Sequence, residues 1–336
     1  MRTLESLDII ENRIITFQED FVKLQDRLAN VIVGQDNVVH DLIIALLAGG
    51  HILLEGLPGL GKTHLVKALA ASIDVSLSRI QCTPDLMPAD ITGSEILLKG
   101  NHDDDVRIDF RRGPVFSTML LVDEINRTTP KTQSALLEAM QEYQVTCAGV
   151  SYHLPKPFWV IATQNPIELE GTFPLPEAQL DRFLFKISVS YPSADSLLRM
   201  IGISLDDEPA DHMGPILSGN RIMEMMQDAK NVVVSDTIKR AAIALILATQ
   251  ADHAQSNSLA RQHIRYGSSP RGLQAIIKAA RINALADGRA HVAIDDIHDV
   301  ALLALRHRIL LNMESELDNI SIDDILLQII SSWRKS

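Results

Sequence analysis

Cysteine is nearly absent from this 336-residue chain: Cys82 and Cys147 stand far apart and in no metal-ligating spacing. Two such thiols suit a reducing compartment and exclude a disulfide scaffold. Aromatics are scarce at 4%, so a core must be assembled mainly from Leu, Ile, Val and Ala within the 46% hydrophobic fraction. No long Lys/Arg run occurs and the formal net charge is −12. Nucleic acid is held by cations that displace condensed counterions, so nucleic acid is not an expected partner, although a local basic stripe inside an assembly stays open. The longest apolar segment, Leu42 to Gly50, is too short to span a bilayer. Met1-Arg2-Thr3-Leu4-Glu5 lacks the apolar stretch of a signal peptide. A cytoplasmic protein with no membrane insertion is expected. Repeats and low-complexity tracts are also missing.

What is present has the length of two domains. Residues 1–30 read as an amphipathic helix, with Ile9, Ile10, Ile14, Phe17, Phe21 and Leu24 recurring at helical steps. A second helix follows Gly34 and Gln35 and stops at Gly49-Gly50. The apolar run from His51 to Leu54, a glycine-rich turn and a helix from Thr63 to Ser72 begin an α/β sheet over residues 31–195. Further strands are expected at Met119–Val122, Phe158–Thr163 and Phe185–Val189, with a helix opening on Thr129-Pro130. Prolines and glycines mark residues 196–220 as a linker. Residues 221–336 read as helical throughout, around Arg221–Asp228, Asp236–Ala254, Pro270–Asp287 and Asp295–Leu311.

The turn Gly56-Leu57-Pro58-Gly59-Leu60-Gly61-Lys62-Thr63 fits the P-loop pattern in full, and it lies between a strand and a helix. Its glycines let successive backbone N–H groups face a phosphate. Lys62 supplies a point charge for the β- and γ-phosphates, and the Thr63 hydroxyl is a ligand for Mg²⁺. His64 follows in the first turn of the helix, among the nucleotide contacts. Sixty-one positions beyond Lys62, the run Met119-Leu120-Leu121-Val122 delivers Asp123-Glu124. One carboxylate, Asp123, holds the metal through its water shell; Glu124 orients and deprotonates the attacking water. ATP and Mg²⁺ are therefore the expected cofactors, with hydrolysis rather than mere binding.

Four further stretches carry a family resemblance: Thr83-Pro84-Asp85-Leu86 with Asp90-Ile91-Thr92-Gly93, Asp123-Glu124-Ile125-Asn126-Arg127, Ala162-Thr163-Gln164-Asn165-Pro166, and Pro174 to Phe183. Together with the P-loop they resemble the MoxR family of AAA+ ATPases over about residues 30–312. Gly61 stands where family members often carry Ala. The resemblance implies an α/β P-loop NTPase with a parallel sheet sandwiched by helices, followed by a smaller all-helical lid domain. It implies that Asn165 is sensor 1, the alternative on local sequence being an ordinary Asn-Pro turn. It implies that Arg182 is an arginine finger entering a neighbour's site, where local sequence favours a surface ion pair with Asp181 or Glu177. Gly34 resembles the segment that contacts adenine. Arg271 resembles sensor 2, and a separate argument supports it: a cation in the first turn of a helix capped by Ser269 opposes the helix dipole unless it reaches for a phosphate. Residues 88–113 fit the family's insert, with a hairpin around the acidic tip Asn101-His102-Asp103-Asp104-Asp105. A second hairpin is expected between Tyr143 and Pro157. In related rings such hairpins face the pore or the substrate; the alternative is that they cover sheet edges. His64, His102 and His153 have no ligand spacing and are not expected to hold metal.

The function implied is ATP-driven remodelling or maturation of client proteins, including metal-cofactor insertion, by a homo-oligomeric ring, expected to be a hexamer. A separate partner with a von Willebrand factor A domain is expected, since no such domain is read within this chain. A nucleic-acid motor and a chelatase-type motor subunit are the alternatives. A non-hydrolysing scaffold is opposed by Glu124, Asn165 and Arg182 together.

Overall fold

A computed structural model describes residues 2–99, 106–166, 172–206 and 214–334. The expected hairpin tip at 101–105 lies outside the described residues. Helix α1 (Arg2–Val31) leads into α2 (Asp36–Leu47), β1 (Ile52–Glu55), α3 (Lys62–Ser72), β2 (Leu77–Gln81) and α4 (Pro88–Thr92). Hairpin β3–β4 (Gly93–Lys99, Val106–Arg112) precedes β5 (Met119–Asp123), α5 (Pro130–Glu142) and hairpin β6–β7 (Gln144–Cys147, Val150–His153). The sheet is completed by β8 (Trp159–Gln164) and, after the short α6 (Glu177–Leu180), by β9 (Phe185–Ser188).

The five long-range strands pair in the order β2-β5-β8-β1-β9, all parallel. Parallel strands covered on both faces need apolar side chains at successive positions, which is why β1, β5 and β8 are near-continuous apolar runs. Their period of two divides the core. Leu53, Leu120, Val122, Val160 and Ala162 pack on one face with α5 residues Leu136, Leu137 and Met140. Ile52, Leu54, Met119, Leu121, Trp159 and Ile161 pack on the other with α1, α2 and α3. On α1 the stripe is Phe17, Phe21, Leu24 and Leu28, all buried, whereas Ile10 is half-exposed beyond it.

One expectation for this half needs correction. Residues 196–220 were expected to be a linker, but α7 (Ala194–Asp206) occupies the first part of that segment. Ser193 nucleates it by accepting the Ser196 N–H, and Leu197 N–H bonds back to Ser193 O. A capping serine ahead of Leu197, Leu198 and Met200 outweighs the flanking prolines and glycines. In addition, Asp74-Val75-Ser76-Leu77-Ser78 matches by letter the Asp-x-Ser-x-Ser metal pattern of a von Willebrand factor A domain. Here it is the turn into β2, and Ser76 Oγ bonds Thr118 across to the lead-in of β5.

The C-terminal part contains α8 (Gly219–Lys230), α9 (Asp236–Ala248), α10 (Ser258–His263), β10 (Ile264–Tyr266), α11 (Pro270–Ala286), α12 (Ile294–Leu305), β11 (Leu310–Leu311), α13 (Met313–Leu317) and α14 (Ile322–Arg334). The small antiparallel ribbon β10–β11 interrupts what was expected to be helix throughout. Ser218, Ser235, Asn257 and Ser269 each cap a helix here with a side-chain oxygen. The apolar cluster is continuous from α1 and α2 through α9, α11, α12 and α14. Among the described residues no helix is long and apolar enough to cross a membrane.

At the joint between sheet and helices lies His51, a buried residue. Its Nδ1 accepts from Val160 N–H and its Nε2 donates to Met140 O, which fixes the neutral ring. Burial, reinforced by the charge of Lys278, lowers its pKa from 6.5 to about 4. The folded state therefore resists a proton that the unfolded chain accepts, so stability is full above pH 6.5 and is lost as pH falls toward 4. His51 should account for about 2 kcal/mol of lost stability by pH 5 and about 3 by pH 4. Urea unfolding at pH 7 and pH 5 checks this: His51→Asn should lose less stability on acidification than wild type. Equal losses in both would remove His51 as the source.

Candidate functional site

The P-loop joins β1 to α3 through two residues in left-handed conformation, Gly59 (φ +83°) and Gly61 (φ +76°). Side-chain-bearing residues avoid that region, so the glycines are what permits the turn. The first turn of α3 leaves backbone N–H groups without intrahelical partners, and a cavity of about 410 Å³ opens beside it. Pro58, Gly59, Leu60, Gly61, Lys62, Thr63 and His64 line one wall. The Lys62 ammonium donates to Gly56 O at 2.6 Å and Leu57 O at 2.7 Å. Partial burial lowers its pKa, opposed by the negative charges of Asp123 and Glu124.

The opposite wall comes from the carboxyl ends of β5 and β8, with Asp123, Glu124, Thr163, Gln164 and Asn165. Asp123 is almost fully buried, and Thr63 Oγ1 lies 3.2 Å from both of its carboxylate oxygens. Donating its proton there leaves the hydroxyl lone pairs of Thr63 for a cation. Carboxylate and hydroxyl oxygens are the donors a hard ion such as Mg²⁺ takes, so the residues present fit that metal. Glu124 adopts φ 56° and ψ 53°, a left-handed conformation that costs a glutamate on the order of 1–3 kcal/mol. Its N–H bonds Thr163 Oγ1 at 2.9 Å, its C=O accepts from Arg127 N–H at 2.8 Å, and its Oε2 meets Arg127 Nη1 at 2.9 Å. Strain over-determined in this way turns the carboxylate out of line with the strand and toward the cavity. Asn165 follows β8 directly, and its C=O accepts from Asn126 Nδ2.

Four expected site residues do not line this cavity. Gly56 stands behind the loop, where its C=O accepts from Lys62. Gly34 (φ +77°) lies against Ser196 at the start of α7, whose side chain an added Cβ would overlap; only its neighbour Gln35 reaches the P-loop, donating to Leu60 O. Arg182 and Arg271 line a separate groove of about 200 Å³ together with Asp181, Lys278 and Arg308. Arg182 Nη1 donates to Leu137 O, while its Nε is enclosed without a hydrogen-bond partner among the described residues. Asp181 receives Ser269 Oγ at 2.8 Å and Arg308 Nε at 2.8 Å, and Arg271 Nη1 stands 3.6 Å away. Ser269 caps α11 by accepting the Arg271 N–H. The buried Arg308 also donates to the carbonyls of Asp181, Phe183 and Leu184. One carboxylate thus ties the segment bearing Arg182 to the helix bearing Arg271.

Reading the sequence missed Arg79, Gln81, Thr163 and Arg308. Arg79 and Gln81 alternate on β2, and their polar pair on a sheet strand was a usable signal. Thr163 lies inside a quoted motif whose only assigned residue was Asn165. Nothing local distinguishes Arg308. The two expected hairpins are present in the described residues, and a parallel stack of Phe110 on Tyr152, with ring centroids 4.1 Å apart, joins them.

Residues 51–185 match the ATPase family associated with various cellular activities (AAA), and residues 256–329 match the AAA lid domain. An uncharacterised protein of Bacillus subtilis, YeaC, is 40% identical, covering 95% of this chain and 97% of its own length. The chaperone MoxR1 of Mycobacterium tuberculosis is 39% identical, covering 90% of this chain and 78% of its own. A crystal structure of a candidate ATPase from Cytophaga hutchinsonii superposes with a TM-score of 0.87 at 37% identity, covering 98% of both chains. With a P-loop, a carboxylate pair on the adjacent strand and a helical lid in one chain, and relatives this similar over nearly its full length, the protein belongs to the MoxR family of AAA+ ATPases.

Proposed function

We propose that this chain hydrolyses ATP with Mg²⁺ in a ring of identical subunits and uses the cycle to remodel client proteins. The observation that supports it is the division of charge: the P-loop cavity holds Lys62, Thr63, Asp123, Glu124 and Asn165, while Arg182 and Arg271 line a different groove. A site completed by a neighbour's arginines accounts for both halves. Lys62 leaves the P-loop carbonyls to bind the β- and γ-phosphates. Glu124, turned to the cavity by its left-handed backbone, takes the proton of the attacking water. Asn165 orients that water beside the γ-phosphate. Thr63, and Asp123 through a water shell, would hold Mg²⁺, which would supply neutralising positive charge to the phosphates. Arg182 and Arg271 of the adjacent subunit then meet the charge that develops on the transferred group.

The client-level role follows the relative named a chaperone, and a von Willebrand factor A partner and metal-cofactor insertion belong to the same reading. Capture on immobilised Glu124→Gln protein tests it. With ATP, client and partner should co-elute with the chain and leave when ADP replaces ATP. Retention of the same proteins with either nucleotide, or of none, would remove the remodelling function and leave a bare ATPase.

A further inference from the structure

The metal carboxylate already carries a cation from its own chain. Arg79, on β2, donates from Nε to Asp123 Oδ2 at 2.7 Å. Its Nη2 bonds Gln81 Oε1 at 3.0 Å, so a residue two positions along the same strand face fixes the plane of the guanidinium. The parallel register sets Gln81 beside Asp123 and Arg79 two residues behind it, opposite Leu121. Within the pair, Asp123 is the fixed member and Arg79 the movable one: the side chains are 6% and 48% exposed. Asp123 is also held by Thr63 and Thr163, at 3.2 and 3.3 Å. Among the described residues Arg79 is held besides by Gln81 alone, and it lines the P-loop cavity.

A divalent ion with its water shell would approach the carboxylate oxygen that Arg79 occupies, Oδ2. Two cations on one carboxylate repel, and a carboxylate neutralised by a guanidinium attracts a metal less. Guanidinium is also the side-chain group best matched to phosphate oxygens. We propose that Arg79 competes with Mg²⁺ for Asp123 and yields when nucleotide phosphates enter the cavity, making tight metal binding contingent on nucleotide. The proposal rests on the assignment of Thr63 and Asp123 as the metal position.

The test uses the full-length chain and Mn²⁺ alone, with free Mn²⁺ read by electron paramagnetic resonance at low ionic strength. Without nucleotide, Arg79→Gln should bind Mn²⁺ roughly five- to tenfold more tightly than wild type, the size of one charged, partly exposed hydrogen bond. Damage to the fold would weaken binding, so a gain in affinity separates competition from a structural role. Equal or weaker binding by folded Arg79→Gln protein overturns the proposal. Should that variant not fold, Arg79→Lys serves, since it keeps a charge but cannot span Asp123 and Gln81; a smaller gain is expected, and no gain overturns it. Adding Asp123→Asn to Arg79→Gln should abolish the extra affinity. If the double variant still binds as tightly, the ion is not at Asp123, and the underlying assignment fails rather than the competition alone. With saturating ADP the gap between wild type and Arg79→Gln should close, and a gap that persists would overturn the hand-over to phosphate.

Discussion

Lys62→Ala protein will not bind ATP measurably, whereas Glu124→Gln protein will bind it and scarcely turn it over. The two residues face one cavity but act at different moments. Lys62 reaches phosphates that are charged in the ground state, so its loss is a loss of affinity. Two charge-assisted hydrogen bonds at about 1.5–3 kcal/mol each correspond to about 10²–10⁴ in Kd. Glu124 acts on a proton that moves only in the transition state, so its loss leaves Kd alone and lowers kcat by about 10²–10⁴. Isothermal titration with ATP and a steady-state phosphate-release assay separate these effects. Glutamine keeps the shape of Glu124 and a partner for Arg127, so the left-handed turn should survive. Normal turnover by Glu124→Gln protein would remove the base assignment.

A mixture of two inactive proteins should recover activity. Glu124→Gln subunits lack the base but still present Arg182, and Arg182→Ala subunits lack the finger but keep Glu124. Where an Arg182→Ala subunit holds ATP beside a Glu124→Gln neighbour, the interface contains every catalytic group. Loss of a trans arginine costs on the order of 10³–10⁵ in rate at comparable phosphoryl-transfer sites, so each pure protein should be nearly silent. Among the described residues Arg182 makes one hydrogen bond, to Leu137 O, and its enclosed Nε has no partner, so the side chain has little to lose by reaching outward. Subunit exchange is confirmed by fluorescence transfer. No recovery, together with a loss of activity proportional to Glu124→Gln content when wild type is diluted, would sink the trans assignment. A steeper loss would indicate ring-wide coupling instead.

What the sequence determined by itself is whatever depends on neighbours along the chain. The P-loop is contiguous, and its glycines dictate their own backbone, so Gly59, Gly61, Lys62 and Thr63 were legible as a phosphate turn. The buried strands announced themselves because covering both faces of a parallel sheet forces unbroken apolar runs, as in Met119–Val122. Ser269 and Pro270 forecast the start of α11 from capping chemistry alone. Only the tertiary structure decided which distant residues meet. Sheet order, not sequence order, sets β2 beside β5 and so delivers Arg79 to Asp123, forty-four positions away. Likewise Asp181, Ser269 and Arg308 converge because the helical part folds back on β9 and α2, and no local pattern encodes a carboxylate shared across such a span. The conformation of Glu124 belongs partly to the same class: its left-handed φ is held locally by Arg127, three residues on, and across the sheet by Thr163 of β8. Local propensity writes the turns and runs; long-range packing selects the partners, and it helps sustain a conformation the local chain would avoid.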